Sequence, residues 1–173
     1  MRFAYADPPY LGLGMKLYGY PEWDIPGRHA DLIAMLCDVY PDGWAMSLSS
    51  PSLRVLAPMM PDDIRFAAWV KPFASFKPNV NPAYAWEPVV FRGGRKRDRM
   101  EDTARDWHSE NIAMQKGLPG AKPPKFGGFI ESLLGARSTD TMVDLFPGTA
   151  GLHGLCEWER AIPTPAPAAE DRT

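Results

Sequence analysis

The segment Asp7-Pro8-Pro9-Tyr10 carries the residues whose types and spacing are best suited to chemistry. Each proline fixes its own φ and lacks an N–H donor, and the residue before each proline is held extended. The segment is therefore stiff, and it presents one carboxylate, bare carbonyl oxygens and an aromatic ring in a fixed arrangement. The alternative is a rigid turn that caps a strand and has no further function.

This arrangement fits an acceptor site for the exocyclic amine of a nucleobase. The lone pair of such an amine is delocalised into the ring, so the nitrogen is a poor nucleophile. The Asp7 carboxylate and the Pro8 carbonyl would each accept one N–H and aim the lone pair at a methyl donor. Tyr10 offers a ring on which a base taken out of its helix would stack, and Pro9 stiffens the loop. The predicted chemistry is methyl transfer by proximity and orientation.

A second loop suited to ligand binding is Phe146-Pro-Gly-Thr-Ala-Gly151, at the end of a predicted strand. Glycine lets the backbone approach a ligand without a Cβ in the way. A strand, a glycine-rich turn and a helix form a common nucleotide-binding unit. Glycine in such a turn also serves backbone geometry alone, so on this loop by itself both interpretations stay open.

Strands and helices alternate along the chain, which predicts an open, mostly parallel α/β sheet. In such a sheet, ligands bind at the carboxyl ends of the strands, where the strand order switches. The apolar patterns predict strands at residues 2–6, 44–49, 65–71, 85–91 and 142–146. They predict helices at residues 28–40, 51–56, 126–134 and 152–160.

The length of 173 residues suits one domain, which we expect to span residues 1–162. Residues 163–173 form a proline-rich tail that is predicted to be disordered. Residues 93–124 have no sustained apolar period, so we expect a mobile recognition or linker insert there. Pro88 predicts an edge or a bulge within the strand at residues 85–91.

Charge and composition narrow the range of partners. The net charge of -2 does not suggest a general polyanion binder. One basic block, RGGRKRDR at residues 92–99, is either a solvated loop or a phosphate contact made by Arg95, Lys96 and Arg97. No signal peptide is visible and no apolar run approaches the roughly 20 residues that span a bilayer, so we expect a cytoplasmic protein with no membrane partner. The cysteines and histidines are too scattered for a zinc signature, which predicts reduced thiols and no metal: Cys37, Cys156, His29, His108 and His153.

Three blocks together resemble one enzyme family. They are ADPPY at residues 6–10, GAKPPKFGGFIESLL at residues 120–134 and VDLFPGTAG at residues 143–151. They resemble the class I S-adenosylmethionine-dependent amino-methyltransferases that act on adenine N6 in DNA, with the RNA adenosine enzymes as relatives. Because the acidic block precedes the glycine turn, the resemblance implies the circularly permuted motif order of the β class and a compact Rossmann-like methyltransferase sheet. Residues 69–71 and 86–88 also resemble strand features of the adenine enzymes.

The resemblance also implies which residues form the site. The four residues of the DPPY segment would hold the target base, and an Asp at the first motif position resembles the N6-adenine enzymes more than the N4-cytosine enzymes. The residues that it places around the donor, S-adenosyl-L-methionine, are Ala6, Asp7, Lys122, Pro123, Phe126, Asp144, Phe146, Gly148 and Thr149. For Phe126 and Phe146 the alternative is core packing, and for Lys122 it is a solvated loop lysine.

The sequence thus predicts a compact DNA adenine-N6 methyltransferase of phage or prophage type, in the cytoplasm of a bacterial or phage-infected cell. Its expected partner is DNA. Because residues 93–124 are short for reading a duplex sequence, a second copy of the chain or a partner subunit would assist. Two alternatives stay open. One is a catalytically silent relative that binds nucleic acid or a catalytic partner, and the other is an amino-methyltransferase that acts on RNA or on a protein amide.

Overall fold

The computed structural model describes residues 1–73, 80–112, 121–148 and 151–161, which form one seven-stranded sheet with helices on both faces. The strands are β1 (Arg2–Ala6), β2 (Gly43–Ser47), β3 (Arg65–Val70), β4 (Trp86–Gly93), β5 (Trp107–Ser109), β6 (Thr141–Asp144) and β7 (Glu157–Arg160). The helices are α1 (Pro26–Val39), α2 (Leu53–Leu56) and α3 (Phe126–Leu134). Shorter turns are a wide π-helical turn at Gly14–Tyr18 and 3-10 turns at Pro21–Asp24, Ser50–Ser52 and Ala57–Met59.

All strands but one run in the same direction. The order across the sheet is β5-β3-β4-β2-β1-β6-β7. β4 pairs antiparallel with β2 and β3, and the other four pairings are parallel. The carboxyl ends of β1, β2, β3 and β6 therefore meet at one edge of the sheet, together with the first residues of β4. This architecture confirms the predicted mostly parallel α/β sheet.

Apolar side chains fill both faces of the sheet. On β1, Phe3 and Tyr5 pack on the α3 face, whereas Ala4 and Ala6 pack on the face covered by α1. A strand buried on both faces reads as a continuous apolar run, which explains why β1 was recognisable from sequence. α3 ends as predicted at Gly135, whose φ of 64° is a left-handed conformation that glycine adopts readily. The helix residues buried in these two cores include Leu32, Ile33, Leu36, Phe126, Ile130 and Leu134.

The helix predicted at residues 152–160 is wrong: this segment is a loop followed by β7, which pairs parallel with β6. The backbone amides of Leu155 and Cys156 donate to the buried Glu131 carboxylate at 2.7 and 3.0 Å, rather than to carbonyls one helical turn earlier. A Cβ at Gly154 would lie 2.4 Å from the Glu131 carboxylate, so the chain passes too close to α3 for a helix. Cys156 consequently lies in a loop and not in a helix.

The prediction that Pro88 marks an edge or a bulge is also wrong, since β4 is paired on both sides. The Pro88 carbonyl accepts the Leu48 N–H at 3.0 Å, so the missing Pro88 donor faces the same side, just past the last residue of β2. No bond of the β3–β4 ladder is lost there, and proline is tolerated.

Residues 93–124 contain one strand that the sequence analysis missed, β5, which pairs with the edge of β3. β5 has three residues, too few to display an apolar period. The predicted mobility of this segment stays a prediction, and its residues 113–120 lie outside the described part of the chain. The predicted tail at residues 163–173 also lies outside it.

We predict that Glu131→Gln lowers the free energy of unfolding by about 3 kcal/mol, because an amide nitrogen would then face donors that now point at a buried carboxylate. These donors also include the Cys156 thiol at 2.9 Å and the Trp158 indole at 2.8 Å. Urea denaturation measures the difference. The matched control is Ser132→Ala on the exposed side of the same helix, which we expect to change stability by less than about 0.5 kcal/mol.

The difference in unfolding free energy between the parent protein and Glu131→Gln depends on pH. Burial raises the pKa of Glu131, but the donors of Cys156, Leu155 and Trp158 outweigh burial and hold the pKa below its ordinary value of 4.5. The advantage of the parent protein over Glu131→Gln is therefore complete above pH 4.5 and declines as the pH falls through the lowered pKa. An advantage that grows on acidification would contradict this assignment.

Candidate active site

The two loops singled out from sequence leave the sheet at the same edge. β1 and β6 are adjacent and parallel, with Tyr5 opposite Asp144. Asp7 follows the end of β1, and Gly148 lies in the turn after β6. Since both chains leave neighbouring strands in the same direction, one small molecule can contact both loops. The DPPY segment and the glycine turn thus lie side by side and make one candidate site.

Asp7 and Tyr10 belong to a partly buried cluster of charged groups centred on Lys122. The Lys122 ammonium lies 2.9 Å from Asp7 Oδ1, 2.9 Å from the Tyr10 hydroxyl and 3.3 Å from Glu87 Oε2. The Tyr10 hydroxyl lies 2.8 Å from Glu87 Oε2 and 3.2 Å from Asp7 Oδ1. Because it has a single proton to donate, its better hydrogen bond is the shorter one, to Glu87. Lys122 is therefore no solvated loop lysine.

Strand ends and aromatic rings enclose this cluster. Lys71, directly after β3, forms an ion pair with Glu87 on β4. The Lys122 ammonium also lies 5.3 Å from the ring centroid of Trp69 and 5.8 Å from that of Phe126. Two ammonium groups thus face two carboxylates in a largely buried setting, and the aromatic faces add cation–π attraction.

The charges in the cluster set the pKa values of its members. Burial raises the pKa of Asp7 above its ordinary value, and the Lys122 ammonium opposes that rise. Burial also raises the pKa of Glu87, but the charges of Lys122 and Lys71 prevail and the net shift is downward. Burial lowers the pKa of Lys122, and the charges of Asp7 and Glu87 reverse this and raise it. Lys122 is consequently held as a cation.

The glycine turn is organised by Asp144 at the end of β6. Its buried carboxylate accepts the amides of Phe146 at 3.1 Å and Leu152 at 3.3 Å, which hold the two sides of the turn together. Burial raises the pKa of Asp144 to about 6, against the effect of these two donors. Gly148 has a φ of 52°, and a Cβ at this residue would meet no atom of the described residues within 4 Å. No described atom therefore fills the space beside the Gly148 Cα, and Thr149 lies outside the described residues.

The remaining residues assigned to the donor are mostly structural in their contacts. Ala6 is buried in the core on the α1 face. Phe126 is fully buried, with its ring edge against Tyr5, as its core-packing alternative proposes. Pro123 accepts the Phe126 amide at 3.0 Å and so starts α3. Phe146 is half-buried and contacts the Trp23 ring at a centroid distance of 5.3 Å.

The basic block lies away from this site. Gly93 pairs with Gly43, the first residue of β2, so the residues that follow Gly93 lie at the opposite edge of the sheet from Asp7. Arg95 donates to both oxygens of the buried Asp140, at 2.8 and 2.7 Å. Arg97 donates to backbone carbonyls of Asp102 and Ser132. Lys96 is exposed.

Sequence reasoning noted Lys71 and Glu87 only as strand features and gave them no role. The signal available was a charged residue at the end of each of two predicted strands, Glu87 directly after Trp86 and Lys71 two residues after Trp69. Strand pairing brings these residues together, because Trp69 stands opposite Glu87 in the β3–β4 register. Neither residue is near Asp7 in sequence, so the cluster could not be assembled from spacing alone.

Within the part of the chain that the structure describes, no group of three or more His, Cys, Asp or Glu side chains is arranged to hold a metal ion. Among its helices, none has the length and apolar character required to cross a membrane.

We predict that Lys122→Met raises the pKa of Asp7 further, because it removes the ammonium that now opposes the effect of burial. Carbon-13 NMR of the labelled Asp7 carboxyl group across a pH series measures this pKa. The control is Lys125→Met, an exposed lysine three residues along the chain, for which we expect an unchanged Asp7 pKa. An Asp7 pKa that falls or stays constant in Lys122→Met would contradict the ion pair.

Comparison with known proteins gives a fold but no sequence family. No protein-family model matches the chain, and neither does any curated protein. Solved structures do resemble it. M1.HpyAVI in complex with SAM aligns with a TM-score of 0.62 at 15% identity, over 91% of this chain and 80% of that chain. A second structure of M1.HpyAVI aligns with a TM-score of 0.56 at 11% identity, over 91% of this chain and 78% of that chain. This likeness supports the predicted Rossmann-like α/β sheet, and the chain is similar in fold to M1.HpyAVI.

Proposed function

We propose that this protein transfers a methyl group from S-adenosylmethionine to the exocyclic N6 of adenine in DNA. The observation that carries the proposal is the juxtaposition of Asp7 and the glycine turn at the ends of adjacent parallel strands. One loop supplies acceptors for an amine, and the other supplies an open backbone surface for a donor. The fold shared with M1.HpyAVI, which is solved with SAM, supports the choice of donor. The permuted motif order is part of the proposal.

The residues present fit the donor. The space beside the Gly148 Cα admits a ligand close to the backbone, and Asp144 holds the turn in shape through the Phe146 and Leu152 amides. When bound, S-adenosylmethionine supplies a methyl carbon on a sulfonium sulfur, and its C–S bond breaks as the N–C bond forms. Of the residues assigned to the donor by resemblance, Asp7, Lys122, Phe146, Gly148 and Thr149 would line its site, and the buried Ala6, Pro123, Phe126 and Asp144 would support it by packing and hydrogen bonds.

Asp7 orients the amine that is to be methylated. The contacts of Lys122 and Tyr10 both use Oδ1, and the Asp7 side chain is 22% exposed, so Oδ2 is the oxygen that an incoming amine can reach. Oδ2 and the Pro8 carbonyl each accept one N–H of the amine. This arrangement draws the nitrogen toward tetrahedral geometry and aims its lone pair at the donor methyl group. Pro9 keeps the two acceptors in register.

Proton removal follows from the same group. The methylated amine carries a positive charge and loses a proton readily. The ionised Asp7 carboxylate accepts that proton at Oδ2, and its raised pKa makes it a better base than an exposed aspartate. Lys122 keeps Asp7 ionised before the reaction by placing an ammonium 2.9 Å from Oδ1.

Tyr10 supplies the ring on which the target base stacks. Its hydroxyl is fixed by Glu87 at 2.8 Å and by Lys122 at 2.9 Å, so the ring cannot turn freely. Glu87 is in turn held by Lys71. Lys71 and Glu87 are therefore positioning residues that act through Tyr10 and Lys122 and have no direct role in the transfer.

Adenine in DNA is the substrate that the resemblance favours, because Asp7 stands at the first position of the motif. The amine chemistry alone also suits RNA or a protein amide. A second function, that of a catalytically silent relative, is favoured by one observation: the Lys122 ammonium already occupies Asp7 Oδ1. Donor binding separates the two functions, since a silent relative would give no heat on titration with S-adenosylmethionine well above micromolar levels.

We expect Asp7→Ala to lower methyl transfer by about a thousandfold or more, because both the acceptor for the amine and the base are lost. Transfer of tritium from labelled S-adenosylmethionine to unmethylated DNA measures the rate, with RNA and protein as parallel substrates. Calorimetric donor binding should stay nearly intact. Asp31→Ala, an exposed aspartate on α1, is the control and should keep full activity. Equal activity in Asp7→Ala would remove the mechanism.

The phosphate contact of the basic block remains a proposal, with Arg95, Lys96 and Arg97 as its residues. We expect the double variant Lys96→Gln/Arg97→Gln to weaken DNA binding and to lower the salt dependence of log Kd by up to about 2. Arg95 is left unchanged, because its loss would also leave the buried Asp140 short of a partner. Fluorescence anisotropy with labelled DNA over a salt series makes the measurement. An unchanged slope would contradict the phosphate contact and favour the alternative, a solvated loop.

Because the basic block lies at the opposite end of the sheet from Asp7, we assign it to DNA contacts away from the reacting atoms. A second copy of the chain or a partner subunit, as part of this proposal, would complete the recognition of the flanking sequence.

A further inference from the structure

A segment beside the site exposes apolar side chains in an ordered backbone. We call residues 14–20 the rim segment. Four of its side chains are between 44% and 61% exposed: Met15, Leu17, Tyr18 and Tyr20. Single exposed apolar residues are common on proteins, but a cluster of four on seven consecutive residues marks an interaction surface.

The rim segment is held by several backbone contacts. The Asp24 carboxylate accepts the amides of Gly14 at 2.8 Å and Met15 at 3.0 Å. The Tyr20 amide donates to the Gly14 carbonyl at 3.2 Å and closes the turn. A Cβ at Gly14 would lie 2.5 Å from the Tyr20 carbonyl oxygen, so the two ends of the segment are in direct contact. The exposed side chains thus stand on a fixed frame.

Both halves of the proposed site anchor this frame. On the acceptor side, the Leu13 amide donates to the Tyr10 carbonyl at 2.8 Å. On the donor side, the buried Trp23 packs its ring against Phe146 just before the glycine turn. The rim segment is therefore continuous with the mouth of the site.

The charges of the cluster reach Tyr18. Its pKa is raised, first by partial burial and then by the negative charge of Asp7, while the Lys122 charge opposes the rise. The Tyr18 hydroxyl therefore lies within electrostatic reach of the groups that would hold the target amine, although its ring is still 44% exposed. When a base occupies the site, the adjacent nucleotides would lie near the Tyr18 ring.

We propose that the rim segment binds the nucleotides next to the target base in an unpaired, single strand of nucleic acid. The rings of Tyr18 and Tyr20 stack on those bases, and the exposed Lys16, between Met15 and Leu17, contacts a phosphate. The inference rests on the proposed function, and it adds the strandedness of the substrate.

Base stacking explains the choice of an unpaired strand. In a duplex, the faces of the bases beside the target are covered by their own neighbours, and two tyrosine rings find little free surface. In a single strand these faces are open to aromatic side chains.

The test measures binding by fluorescence anisotropy, without donor, to a labelled single-stranded DNA oligonucleotide containing adenines and to the same sequence as a duplex. We expect the parent protein to bind the single strand more tightly. Tyr18→Ala and Tyr20→Ala should each weaken single-strand binding by roughly 5- to 150-fold. Tyr18→Phe and Tyr20→Phe, which keep the ring, should stay within about twofold, and circular dichroism checks that every variant is folded.

Leu17→Ala is the matched control, because it removes an exposed apolar side chain from the same turn without removing a ring. It should leave single-strand binding within about twofold. A loss as large as that of Tyr18→Ala would indicate a general apolar surface, as for a protein partner, and would overturn the inference. Equal binding of strand and duplex by the parent protein would also overturn it, and so would the absence of any nucleic-acid binding.

These results are separable from a failure of the proposed function. If Tyr18→Ala and Tyr20→Ala bind normally while Asp7→Ala loses methyl transfer, only the rim inference is wrong. If Asp7→Ala transfers methyl groups at the parent rate, the proposed mechanism is wrong whatever the tyrosine variants do. If the tyrosine variants lose binding as expected, the rim assignment stands on the binding data alone.

Discussion

The site depends on one buried ammonium group shared between two carboxylates. Lys122 lies 2.9 Å from Asp7 and 3.3 Å from Glu87, and without it two negative charges would share a partly buried site. Like charges in such a setting cannot both ionise easily, so a proton would settle on one of them. Lys122 therefore keeps the Asp7 carboxylate ionised. It also connects three segments that are far apart in the chain, namely its own, the DPPY segment and the start of β4.

Strand direction is the second constraint. A parallel sheet sends the ends of several strands to one edge, and here that edge gathers Asp7, Lys71 and Asp144 from β1, β3 and β6. β4 runs in the opposite direction, so its second residue, Glu87, lies at the same end of the sheet as the last residues of the parallel strands. The same rule explains why the basic block is remote, since the end of β4 lies at the opposite edge.

Local patterns were enough to predict much of this architecture. β1 is a run of apolar residues buried on both faces, and α3 combines helical spacing with a terminal glycine. Long-range contacts were not predictable: Glu131 converts residues 152–160 into a loop and a strand by accepting their donors, although their spacing is helical. Asp7 was identifiable because its segment is stiff and unusual. Glu87 was given no role because a lone acid at a strand end resembles a surface residue.

The division of labour between the two oxygens of Asp7 has a consequence for conservative replacement. An asparagine has nearly the same shape, but its carboxamide offers only one acceptor atom. If that oxygen faced the Lys122 ammonium, the NH2 group would meet the N–H donor of the proposed amine substrate. If the side chain flipped, its NH2 group would meet the Lys122 ammonium inside the protein. The position of residue 7 thus requires two acceptor atoms on one side chain. Asparagine has the shape of aspartate but only one acceptor atom, so it fails in either orientation.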